Sequence, residues 1–215
     1  KPQKSDILWV IPAFKRAWSL DLVLQSLSTQ KNILVSKDAD SEEIDKVLSK
    51  YKVDVLEHPW SCSRHPHQFP ADEPALNKNY KGDTYGNPRS PWATCLKHHW
   101  WWMMKQAWAR KPERVCVLED DTVIHPQAFE WLAKQTGNIK LTPVEIAVPW
   151  CMSAKEWQTI EPKAFCEHDD YNWDQTIAWM KEHGHGPNEA VVPSKALSMH
   201  VGDCGGWDAG GRDTK

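Results

Sequence analysis

Ile7-Leu-Trp-Val-Ile11 is a continuous apolar run ended by Pro12, the pattern of a short strand buried on both faces. Leu20, Leu22, Val23, Leu24 and Leu27 then recur at helical spacing, which predicts a helix from Ser19 to about Thr29 with Ser19 capping its start. A second strand is expected over Asn32 to Ser36. After Asp38 to Asp40, the group Ser41, Glu42, Glu43 and Ile44 opens another helix that reaches about Lys50. Lys52 to Leu56 reads as a third strand. Strand, helix, strand, helix, strand within the first 57 residues is the mark of a parallel α/β sheet. In such sheets ligands lie outside the carboxyl ends of the strands, so the loops after Ile11 and Ser36 are candidate contacts on position alone.

From His58 to Pro91 the chain is rich in Pro, Gly, Asn, Asp and His, too long and irregular for a simple connector. A helix from about Pro91 to Arg110 follows, with Pro91 suited to a first turn. Beyond it the pattern predicts a buried strand over Glu113 to Leu118, a helix over Pro126 to Gln135 and a strand over Val144 to Val148. A helix over Tyr171 to Glu182 follows, then short strands at Val191, Val192 and Ala196 to His200. There is no internal repeat, and 215 residues fit one domain with a full core, residues 1–215.

Composition narrows the classes. Apolar content of 40% with 26% charged residues is that of a folded globular chain. A formal charge of −3, with Lys and Arg scattered, lacks the footprint of a nucleic-acid binder. No run of 18 apolar residues occurs, and the first residues do not resemble a signal peptide, so no membrane or targeting segment is visible. The six cysteines include no C-x-x-C pair, which argues against structural zinc, and Cys116 within an apolar strand reads as a buried thiol. Fourteen tryptophans, three of them consecutive at Trp100, Trp101 and Trp102, suit core packing or stacking on sugar faces.

Arg114-Val-Cys-Val-Leu-Glu-Asp-Asp121 sets three carboxylates, Glu119, Asp120 and Asp121, at the end of an apolar strand. Their mutual repulsion is offset where a hard divalent cation such as magnesium or manganese is bound; the plainer reading is a solvated turn ahead of Pro126. A second acidic group holds Glu167, Asp169, Asp170 and Asp174. Asp174 is either a general base for a substrate hydroxyl or an exposed residue of a helix capped by Asp169 or Asp170. His200, in Ser198-Met-His-Val-Gly-Asp-Cys-Gly-Gly206, is either structural or a ligand that completes the metal's sphere.

Lys97-His-His-Trp-Trp-Trp102, Asp169-Asp-Tyr-Asn-Trp-Asp174 and His200-x-Gly-Asp-Cys-Gly205 resemble signatures of the alpha-1,6-mannosyl-glycoprotein 2-beta-N-acetylglucosaminyltransferase (N-acetylglucosaminyltransferase II) family. Ser36-Lys-Asp-Ala-Asp-Ser-Glu-Glu-Ile44 resembles that family's segment after its second strand, and the blocks occur in the family's order. The resemblance implies a glycosyltransferase A fold with a mainly parallel central sheet flanked by helices. It implies a UDP-sugar donor, a glycan or glycoprotein acceptor, residence in the Golgi lumen, and a divalent metal, manganese with magnesium as the alternative. It assigns Asp121 and His200 to the metal, Glu119 and Asp120 to the donor ribose and sugar, Asp38 to the uracil ring, Arg16 and His99 to the nucleotide, and Asp174 to the catalytic base.

The chain departs from the family after Gly205, where Cys204 lacks the partner expected of it, and in the His58 to Pro91 segment. The donor chemistry therefore carries over better than the acceptor. The leading expectation is inverting transfer of N-acetylglucosamine from its UDP donor to a glycan hydroxyl, forming a β-linkage. The alternatives keep the mechanism with another UDP-sugar (glucose, galactose or xylose), or make the chain a non-catalytic carbohydrate-binding module.

Overall fold

The computed structural model describes residues 6–38, 41–59, 61–62, 91–143, 149–160, 165 and 173–202, with side chains from residue 95 onward in the helix that begins at Pro91. The opening alternation is as expected: β1 (Ile7–Ala13), α1 (Ala17–Ser26), β2 (Ile33–Lys37), α2 (Glu42–Leu48) and β3 (Asp54–Glu57). Then come α3 (Pro91–Ala109), β4 (Arg114–Val117), β5 (Thr122–Ile124), α4 (Gln127–Leu132), β6 (Ile139–Lys140), β7 (Trp150–Ser153), α5 (Ala154–Thr159), α6 (Trp173–Glu182) and β8 (Ser198–His200).

Six strands form one sheet in the order β3-β2-β1-β4-β7-β6. The first four are parallel, and β7 and β6 extend the sheet antiparallel beyond β4. Alternation along β1 divides the core between the two faces. Trp9, Ile11 and Ala13 pack with Leu20, Val23 and Leu24 of α1, Ile44 and Val47 of α2, and Ala128 and Leu132 of α4. Leu8 and Val10 point the other way, into the side covered by α3 and α6. That second side is aromatic. Trp100 stacks on Trp173 at 4.8 Å between ring centroids and on Phe165 at 5.5 Å, and its ring lies parallel to that of Trp150 at 6.3 Å. Packing thus accounts for most of the described tryptophans, among which Trp18 is the exposed one.

Several local expectations are corrected. Helix α1 starts two residues before Ser19, and the Ser19 hydroxyl donates back to the Arg16 carbonyl at 3.1 Å instead of capping a free amide. Ser41 does cap α2, accepting from the Ile44 amide at 3.3 Å. Cys116 is not a thiol: it pairs with Cys151 in a disulfide joining the neighbouring strands β4 and β7, whose register sets the two residues opposite each other. A second disulfide, Cys62–Cys95, ties the segment after β3 to α3. Val191 makes a single bridge to Ile139 rather than a strand. The expected strand at Val144 to Val148, Cys166, Cys204, Glu167, Asp169 and Asp170 lie outside the described residues, as does most of the His58 to Pro91 segment.

Candidate functional site

The chain leaves β1 outward to β2 and β3, then returns to the other side of β1 as β4, so the strand order reverses between β1 and β4. Crevices at such reversals, at the carboxyl ends of the strands, are where α/β sheets bind ligands. Here the end of β1 delivers Phe14 and Arg16, and the end of β4 delivers Glu119, Asp120 and Asp121.

Asp120 is buried. Its Oδ2 accepts from the Phe14 amide at 3.1 Å, and its Oδ1 lies 2.6 Å from Arg16 Nη2. Arg16 Nη1 donates to Asp121 Oδ2, so one guanidinium bridges both aspartates. Burial alone would favour neutral Arg16, but the charges of Asp120 and Asp121 overcome it and raise its pKa. Burial also pushes the Asp120 carboxyl up, against the pull of Arg16 and the Phe14 amide. At Asp121 burial is outweighed by the His200 hydrogen bond and the Arg16 charge, which hold the carboxyl below its ordinary value.

The late strand β8 completes the group. It pairs antiparallel with β5, Thr122 opposite His200, and the Val201 amide donates to the Asp121 carbonyl at 2.8 Å. His200 Nδ1 thereby sits 3.3 Å from Asp121 Oδ1 and 3.9 Å from Glu119 Oε2. Its hydrogen bond to Asp121 raises its pKa above the ordinary histidine value. One ligand atom from each of Glu119, Asp121 and His200 lies within 4.8 Å of the others, and two carboxylate oxygens with one imidazole nitrogen suit a divalent cation. Gly202, two residues beyond His200, lies against the site: a Cβ there would overlap Asp121 Oδ2 and stand 3.1 Å from Arg16 Nη1.

Asp174, second residue of α6, approaches from the aromatic side of the sheet, and its charge is felt at Glu119. Burial, Asp174 and Asp121 together push the Glu119 carboxyl up to about 7. Burial raises Asp174 as well, opposed by the amide at the start of α6 and by the ammonium of Lys140. Asp174 Oδ1 is shielded from solvent and has no hydrogen-bond partner among the described residues. Lys140 is itself buried on β6, with its Nζ 4.6 Å above the Trp150 ring.

Asp38 and His99 lie together but inside the protein. Asp38 Oδ1 accepts from the Cys62 amide at 3.0 Å and is 3.3 Å from His58 Nδ1, while His99 Nε2 meets Ser36 Oγ at 2.6 Å and its ring stacks on His58 at 4.1 Å. Burial and the neighbouring His58 keep His99 neutral, its pKa well below the ordinary value. Asp38, His58 and Cys62 are close enough to share an ion, but the Cys62 sulfur is committed to its disulfide.

Of the residues expected from the sequence, Arg16, Glu119, Asp120, Asp121 and His200 converge at one place, with Asp174 near enough for its charge to act on Glu119, and Asp38 and His99 lie in a buried group at the end of β2 and the middle of α3. Sequence reasoning missed Gly202, Lys140 and His58. Gly202 carried a signal, a glycine two residues from a candidate ligand; the other two carried none.

A family model described as N-acetylglucosaminyltransferase II matches residues 1–146. An alpha-1,6-mannosyl-glycoprotein 2-beta-N-acetylglucosaminyltransferase of Arabidopsis thaliana is 26% identical over 255 residues, covering 94% of this chain and 59% of the plant protein. The Homo sapiens enzyme of the same name is 25% identical, covering 93% of this chain and 59% of its own length. The chain therefore spans about three fifths of these curated relatives. Among solved structures, glucosyl-3-phosphoglycerate synthase from Mycobacterium tuberculosis, in complex with Mn2+, UDP-glucose and phosphoglyceric acid, superposes with a TM-score of 0.53 at 14% identity, covering 95% of this chain and 75% of that one. A Methanothermobacter nucleotidyl transferase gives 0.51 at 13% identity, with 88% of each chain covered. The fold is the glycosyltransferase A fold that the sequence led us to expect.

Proposed function

This chain belongs to the N-acetylglucosaminyltransferase II family, and from that premise we propose that it is the catalytic domain, residues 1–215, of an inverting, metal-dependent glycosyltransferase. It moves N-acetylglucosamine from a UDP donor to a hydroxyl of a mannose-containing glycan and forms a β-linkage. The observation that carries this reading is a carboxylate–imidazole group, Glu119, Asp121 and His200, within reach of the charge of Asp174, whose shielded Oδ1 has no partner among the described residues. A carbohydrate-binding module has no use for that combination.

Asp121 and His200 would hold a divalent cation, manganese or alternatively magnesium, which supplies positive charge to the departing diphosphate. Asp174 accepts the proton of the acceptor hydroxyl as that oxygen attacks the anomeric carbon. Its raised pKa makes it a stronger base than an exposed aspartate. Glu119 and Asp120 are proposed to face the donor ribose and sugar, Asp120 through the Arg16 and Phe14 contacts that engage both of its oxygens. Arg16 is proposed to meet the nucleotide from the end of β1, and Asp38 with His99 to bound its base. Both of the latter are buried, so a direct bond to uracil requires the Cys62 segment to shift. The two disulfides among the described residues favour an oxidising compartment, in keeping with a Golgi lumen. No helix among the described residues is long and apolar enough to cross a membrane.

The test is a screen of UDP-sugars with Mn2+ for thermal stabilisation and hydrolysis, paired with D174N. A bound donor at 100 times its Kd stabilises by about 2.7 kcal/mol. The expected result is stabilisation by UDP-N-acetylglucosamine, and turnover about 10²- to 10⁴-fold lower in D174N with donor affinity retained. Stabilisation by no UDP-sugar sinks the donor assignment, and full turnover in D174N sinks the base.

A further inference from the structure

Asp121 offers its two carboxylate oxygens to opposite sides. Oδ1 faces His200 Nδ1 at 3.3 Å, and Oδ2 is held by Arg16 Nη1. Arg16 cannot follow Asp121 elsewhere, because its Nη2 is 2.6 Å from Asp120 Oδ1, and Asp120 is pinned in turn by the Phe14 amide at 3.1 Å. Gly202 lies against Oδ2, where an added Cβ would overlap it. A guanidinium is a rigid planar fork, so two carboxylates fixed by one fork keep their relative orientation.

We propose that Arg16 is a positioning residue that sets which cation the site accepts, by occupying Asp121 Oδ2 and leaving Oδ1 as the one oxygen Asp121 can give. The inference rests on the metal-site reading above and goes beyond it. Small divalent cations demand near-octahedral geometry and bind through single carboxylate oxygens, with waters and phosphate oxygens making up the rest. Calcium takes about 6–8 oxygens and draws readily on bidentate carboxylates. A clamped Asp121 suits the first kind and denies the second an oxygen.

The test measures the metal alone, without nucleotide, so that any contact of Arg16 with a donor plays no part. Mn2+ binding to the native protein, R16M and R16K is followed by electron paramagnetic resonance of the free ion, and Ca2+ affinity by competition. R16M removes a positive charge that competes with the cation for Asp121, which strengthens the binding of Mn2+ and Ca2+ alike, and it frees Asp121 Oδ2 besides. Calcium gains further by taking both Asp121 oxygens, so the Ca2+-to-Mn2+ ratio of Kd values falls by about tenfold in R16M. Lysine keeps the charge but cannot span both carboxylates, so R16K shifts the ratio in the same direction. Should R16M fail to fold, R16K decides. If the two affinities change in parallel, Arg16 acts by charge or general structure and the inference is overturned. Absence of Mn2+ binding by the native protein, or undiminished binding in D121N, overturns the metal-site reading itself.

Discussion

Gly202→Ala adds a single methyl group, and the structure says where it goes. The new Cβ overlaps Asp121 Oδ2, stands 3.1 Å from Arg16 Nη1 and 3.3 Å from Asp121 Cγ. Neither neighbour is the free end of a flexible chain, since Asp121 is held by Arg16 and His200 and Arg16 by Asp120. Overpacking of this kind costs about 1–3 kcal/mol. The cost has two outlets. If Asp121 stays, the protein loses that much stability, and a chain of this size melts about 2–4 °C lower per kcal/mol. If Asp121 is pushed aside, the metal site pays instead, and 1–3 kcal/mol corresponds to about 5- to 150-fold weaker Mn2+ binding. Scanning calorimetry and Mn2+ titration of the same sample divide the two. An unchanged melting temperature together with unchanged Mn2+ affinity would refute the packing argument outright.

Proton linkage gives a second prediction. Glu119, raised to about 7, stays protonated longer in the folded chain than in the unfolded one, so its contribution to stability is lost as pH rises from about 4.5 through 7. His200, raised by Asp121, likewise stabilises the protein at low pH and stops doing so as pH passes its folded value. The metal-free protein therefore melts lower at pH 8 than at pH 5.5, and Mn2+ reverses the difference. Binding near pH 7 releases protons, seen as a buffer-dependent heat in isothermal titration; a heat independent of the buffer contradicts the raised values. The double variant C116A/C151A removes a cross-link closing a loop of 35 residues. The expected loss is about 3–4 kcal/mol in urea unfolding, and an equal midpoint for the variant and the oxidised native protein would contradict it.

The early part of the fold was legible because buried parallel strands are written as unbroken apolar runs. Ile7 to Ile11 and Asn32 to Ser36 could be read without knowing their neighbours. Strand β7 could not. Trp150-Cys-Met-Ser153 neither alternates nor forms an aliphatic run, and its place is fixed by pairing with β4 and β6. The three-residue strands β5 and β8 are too short to show a period. The Cys116–Cys151 bond follows from a register that no local pattern encodes, which is why Cys116 read as a thiol. In the site, charge was the legible quantity: three adjacent carboxylates signalled their own cost. What held them was less visible, since Lys140 and His58 matter through positions set by the sheet and by the Cys62–Cys95 bond.

The pairing of β5 with β8 also orders events in time. His200 and Gly202 stand 79 and 81 residues after Asp121, and Arg16 stands 105 before it. A ribosome making this chain has laid down every strand of the six-stranded sheet by residue 153, well before either late residue exists. The nascent protein can thus fold around an acidic triplet that has its arginine but no imidazole. Contacts this far apart in sequence form late. The group of Glu119, Asp121 and His200 is therefore complete only once β8 has docked against β5.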